Sequence, residues 1–108
     1  MVLTREILAH ALEYPEYVRL SEQRFAEGLT TADAPEMNTP ERLEYTKLNL
    51  QRMKRIAQTP LTEPLLEALR GVKQAQIWVV LTESWCGDAA QNLPVLAVME
   101  AASPLVSL

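Results

Sequence analysis

Ile77-Trp78-Val79-Val80-Leu81-Thr82-Glu83-Ser84-Trp85-Cys86-Gly87-Asp88-Ala89 decides how the rest of this chain is read. It opens on an apolar run rich in residues that favour strands. A strand over residues 76–82 is expected. Both of its alternating faces are apolar, which predicts a central strand covered on both sides. Residues 90–102 are apolar nearly all round and predict a helix over about 87–102, buried against more than one neighbour. Pro94 lies inside that helix, where a proline costs about 3 kcal/mol and bends the axis. Cys86, the only cysteine, therefore sits where a strand passes into a helix.

That position suits thiol chemistry. The thiolate is the reactive form of cysteine. Unpaired N–H groups and the positive end of the dipole favour an anion at a helix N-terminus. Trp85 offers a flat apolar wall, and Gly87 is expected to turn the backbone sharply and leave the sulfur uncovered. Asp88 suits the first helical turn, but its charge opposes a nearby thiolate. A dithiol site carries a second thiol three positions on, to resolve the mixed disulfide. Here that residue is Ala89. Any disulfide made by Cys86 then needs an external thiol for release. The competing reading is that Cys86 is a small buried hydrophobe.

Working outward, Thr4 is a plausible cap for a helix bearing Ile7, Leu8, Ala11 and Leu12. Pro15 ends it and opens the next, which carries Tyr14, Val18, Ser21 and Phe25 on one face and closes at Gly28. Residues 29–38 show no apolar period and read as the most mobile loop of the chain. Thr39-Pro40-Glu41 is a strong helix start. The helix is expected to run to about Gln58, with Leu43, Leu50, Met53 and Ala57 on one face and Leu48 and Ile56 widening it. Thr62 caps a short helix with Leu65, Leu66 and Leu69, closed by Gly71. Residues 105–108 begin a second strand.

The 108 residues amount to about one domain and are nearly half apolar. No run approaches the ~20 apolar residues of a membrane span, and no signal-peptide core is visible. A single cysteine excludes an internal disulfide framework and fits a reducing cytoplasm. The net charge of −4 gives no reason to expect nucleic-acid binding. Residues 40–60 are net basic between two acidic stretches. They read as solvated helix faces, with docking on the acidic N-terminal stretch as the sharper alternative. His10 reads as a solvated or capping residue, and Trp78 as core. Arg52, Lys54 and Arg55 read as helix surface, with a glutathione or phosphate contact as the lesser alternative. One histidine and one cysteine do not make a zinc site in one chain, and three glycines form no phosphate loop.

The strand, the Trp85-Cys86-Gly87 core and Pro94 eight residues after the cysteine resemble the active-site strand, loop and helix of thioredoxins. The family pattern is Trp-Cys-Gly-Pro-Cys with a kinking proline at the same offset. Residues 44–55, with Trp85-Cys86-Gly87-Asp88-Ala89, are similar to a bacterial thioredoxin-like group that has an N-terminal helical extension. The resemblance implies an α/β fold: a partial, N-terminal half of a thioredoxin-like unit, helix-dominated in this chain. Residues 1–60 would be the helical extension and 61–108 the partial thioredoxin-like unit. It also implies departures. Asp88 stands for the motif proline, Ala89 for the resolving cysteine, and Val80 for a buried aspartate that assists proton transfer. The cis-proline loop and the last strands have no counterpart, which implies a truncated product or a half supplied by another chain.

The expected function is a thioredoxin-like monothiol redox protein. Cys86 is the catalytic thiol, and Trp85, Gly87, Asp88, Ala89 and Pro94 shape its site. The alternative is a non-catalytic thioredoxin-fold interaction module, or an inactive fragment. Expected partners are protein thiols or disulfides, with glutathione as a further candidate, and a second copy through a strand edge or the last helix. Neither nucleic acid nor membrane is an expected partner, and no cofactor or metal is expected.

Overall fold

Thr4 caps the first helix: its Oγ1 accepts a hydrogen bond from Ile7 N at 3.2 Å. The computed structural model describes residues 3–108. Helix α1 is Arg5–His10 and α2 is Tyr14–Ala26, with Pro15 in its first turn. Gly28 follows with φ +78, the left-handed conformation that glycine adopts without a Cβ penalty. A short 3₁₀ turn, Pro35–Met37, leads to α3, Pro40–Ile56. Thr39 caps α3 through Arg42 N at 3.2 Å. Helix α4, Glu63–Arg70, follows. The remaining elements are β1 Gln76–Ile77, α5 Gly87–Ala102 and β2 Val106–Ser107. Helices dominate, as expected.

Strands β1 and β2 pair in parallel, Gln76 with Val106 and Ile77 with Ser107. Helix α5 makes the crossover between them, so the C-terminal part is a βαβ unit. Helix α5 lies along α3 and also touches α4 and β2. Helix α2 also packs on α3.

Several expectations are corrected. The strand over 76–82 is only two residues long, and its apolar side chains are not covered: Ile77 is 69% and Leu81 73% exposed. The reason is pairing. Gln76 N and Trp78 N reach β2 through Leu105 O and Ser107 O, both at 2.7 Å. Beyond them, no described strand lies beside residues 79–81. Trp78 is half-buried rather than core, with its Nε1 donating to Gln76 Oε1 at 3.0 Å. Gly71 does close α4, with φ −77. Thr62 precedes α4, but its side chain makes no capping bond. Leu48 is 39% exposed and does not widen the buried face of α3.

The face of α3 turned inward is polar. Its buried residues are Thr46, Asn49 and Met53. Residues 29–38 are not a free loop either. Thr30 and Ala32 are buried. Arg24 Nη1 donates to the carbonyls of both, and Thr30 N donates to Asn38 Oδ1 at 2.7 Å. The basic segment 40–60 makes no ion pair with residues 3–39 among those described. The salt bridges there are Arg24–Asp33 and Arg70–Glu63.

Candidate functional site

Cys86 is the N-cap residue of α5, with φ −75 and ψ 110. Its N–H closes a turn onto Glu83 O at 3.0 Å, and its carbonyl accepts the first helical bond from Ala90 N at 3.1 Å. The side chain caps nothing and the residue is partly exposed. The sulfur therefore belongs to a residue at the tip of a sixteen-residue helix. The residue is not fully buried.

The residues grouped with Cys86 from sequence lie where their spacing predicts, with one change of role. Trp85 is partly exposed and carries the Arg42 guanidinium 5.0 Å from its ring centre, a cation–π distance. Asp88 is exposed in the first turn of α5. Ala89 is half-buried and Pro94 fully buried. Gly87 does not use a left-handed backbone; among the described glycines only Gly28 does. A Cβ at Gly87 would lie 3.7 Å from Arg52 Nη1. That is an ordinary van der Waals contact, so neither the backbone nor the neighbouring guanidinium requires glycine here, and no sharp turn is made. Leu81, Thr82, Glu83, Trp85 and Cys86 line a shallow cleft of about 490 Å³.

What holds this loop is a set of residues that the sequence did not single out. Ser84 is 5% exposed, and all three of its polar groups are bonded. Its N–H donates to Thr31 Oγ1 at 2.9 Å. Its carbonyl accepts from Asn49 Nδ2 at 3.0 Å. Its Oγ accepts from Thr31 N at 3.2 Å and lies 3.0 Å from Thr46 Oγ1. Thr46 has one hydroxyl proton, and that proton goes to Arg42 O at 2.8 Å. Ser84 must therefore be the donor to Thr46. Arg52 Nη1 donates to Asn49 Oδ1 at 3.3 Å, which fixes which end of the amide faces Ser84. The available signal was the interruption of the Leu43–Met53 stripe by Thr46 and Asn49. Polar residues on an inward helix face need partners.

Tyr17 of α2 faces the same loop. Its phenol is pushed above the usual tyrosine value, chiefly by burial and further by the charges of Glu83 and Cys86. The side chains of Thr82 and Ser21 oppose the rise. Burial also raises Tyr14, with Tyr17 adding to it. A raised folded-state value means that the neutral phenol is the form that suits the fold. Its contribution is complete below the unfolded value near 10 and is lost as the pH climbs through the higher folded value. Stability is expected to fall steeply above pH 10. The phenolate absorbance should titrate later in folded protein than in denatured protein. Coincident titrations would contradict this placement of Tyr17.

The chain thus places a cysteine at the N-cap position of the crossover helix of a parallel βαβ unit, with a tryptophan before it and a buried proline within the helix. A family model described as Thioredoxin matches residues 36–108. The chain belongs to the thioredoxin family. The helix-rich structure with its two-stranded sheet is consistent with part of a thioredoxin fold. No curated protein and no solved structure matches the chain. No described helix is long and apolar enough to cross a membrane.

Proposed function

We propose that the protein is a monothiol redox protein in which Cys86 exchanges disulfides. The supporting observation is the partly exposed Cys86 at the N-cap of α5, lining its own cleft. In the first step the Cys86 thiolate attacks one sulfur of a substrate disulfide. A new S–S bond forms, the old one breaks, and the second sulfur leaves as a thiolate that takes a proton from solvent. With Ala89 in the resolving position, the mixed disulfide is released by an external thiol attacking it. That thiol is glutathione or a partner protein's cysteine, and the setting is the cytoplasm. Trp85, Arg42 and Gly87 shape access to the thiol, Asp88 moderates the anion and Pro94 sets the helix. Residues 1–60 act as a helical extension, from which α3 supports the loop. The test is mixed-disulfide formation with glutathione disulfide at pH 6.5.

A second reading is favoured by a different observation. Between α1, the start of α2 and residues 77–82 runs an apolar cleft of about 810 Å³. An interaction module would use it. The proposed occupant is a second copy of this chain. Residues 74–82 carry no charge, so two copies meeting in antiparallel fashion across a two-fold axis set no like charges opposite each other. Light scattering should show concentration-dependent dimers, and Leu81→Lys should return monomers. A monodisperse wild-type monomer would contradict the reading.

A further inference from the structure

We propose that Thr31 is a positioning residue for Cys86. Through it, the stretch that precedes the family-matched residues 36–108 becomes part of the thiol site. The bond pattern carries this. Thr31 and Ser84, separated by 53 positions, exchange two hydrogen bonds: Thr31 N to Ser84 Oγ, and Ser84 N to Thr31 Oγ1. The Thr31 hydroxyl keeps one proton to give, and it gives it to the Glu83 carboxylate. Glu83 and Ser84 are the first two residues of the turn that ends at Cys86, since Cys86 N donates to Glu83 O. One threonine thus holds both.

A clamp positions a loop only if the clamp is itself fixed. Thr31 is fixed on both sides. The carbonyls of Thr30 and Ala32 accept from Arg24 Nη1 at 3.3 and 3.2 Å. Ala32 N donates to Thr30 Oγ1 at 3.2 Å, and Thr30 N to Asn38 Oδ1 at 2.7 Å. Helix α2 supplies Arg24, so α2 and α3 grip the loop from two directions. Releasing the Thr31 side leaves Glu83 and the turn free to drift, and Cys86 with them.

The structural part of the inference stands by itself, while its kinetic part rests on the reactivity proposed for Cys86. Amide hydrogen exchange tests the first. In the wild-type protein Thr31 N–H and Ser84 N–H should open together, with matching protection. In Thr31→Val the Ser84 amide should lose about tenfold protection, the factor that 1.4 kcal/mol carries. Thr31→Ser, which keeps the hydroxyl, should retain it. Independent exchange in the wild type, or unchanged protection in Thr31→Val, overturns the clamp. The rate of Cys86 with glutathione disulfide tests the second part. It should drop several-fold in Thr31→Val and return to within about twofold of wild type in Thr31→Ser. Equal rates in a reactive wild type and Thr31→Val overturn the positioning role. An inert wild type overturns the kinetic part together with the proposed function, and leaves the exchange result to decide the clamp.

Discussion

Asn49→Ala is expected to lower the unfolding free energy by about 2–3 kcal/mol. Asn49 is 1% exposed. Its amide is the partner of the Ser84 carbonyl, and its oxygen receives Arg52. Alanine leaves that carbonyl buried without a donor, which costs about 1–3 kcal/mol, and adds a void. In a chain of this size each kcal/mol moves the melting point by roughly 4–8 °C. A drop on the order of 10–20 °C follows. Leu48→Ala, on the same helix, removes a larger apolar side chain but one that is 39% exposed. It should cost less than about 1 kcal/mol. Denaturant unfolding of the two variants side by side checks this. A larger loss from Leu48→Ala would show that α3 is held by its apolar residues and not by the polar stripe.

The second large effect concerns rate. A free cysteine thiol with a pKa near 8.5 is about 1% ionised at pH 6.5. Interactions at a helix N-terminus are worth roughly 0.3–2 kcal/mol to an anion, a factor of about two to thirty. Cys86 occupies the N-cap position of a sixteen-residue helix, and because nucleophilicity falls as a thiol becomes more acidic, a rate a few-fold above that of free cysteine is expected. Asp88 in the first turn acts against it, so Asp88→Asn should be faster again by roughly two- to fivefold.

The helices were legible because their signals are local. Thr4, Thr39, Gly28 and the prolines mark starts and stops within a few residues. The α5 span and the position of Cys86 at its tip followed from apolar pattern and spacing. The covered central strand did not follow, because burial of residues 77–81 depends on what lies beside them, and a run of apolar residues carries no record of its neighbours. The clamp on Ser84 was hidden for a related reason. Thr31 lies 53 positions away in a stretch whose composition reads as loop. Thr46 and Asn49 are no part of the apolar stripe read on this helix, and they are the groups that bind the cysteine loop to α3.

The central claim is that Cys86 is a reactive thiol and not an inert side chain. Its second-order rate with glutathione disulfide at pH 6.5, followed by intact mass against free cysteine, tests it most directly. The expected result is a single glutathione adduct formed a few-fold faster than on free cysteine and removed by added thiol. A rate no faster than that of free cysteine would contradict it.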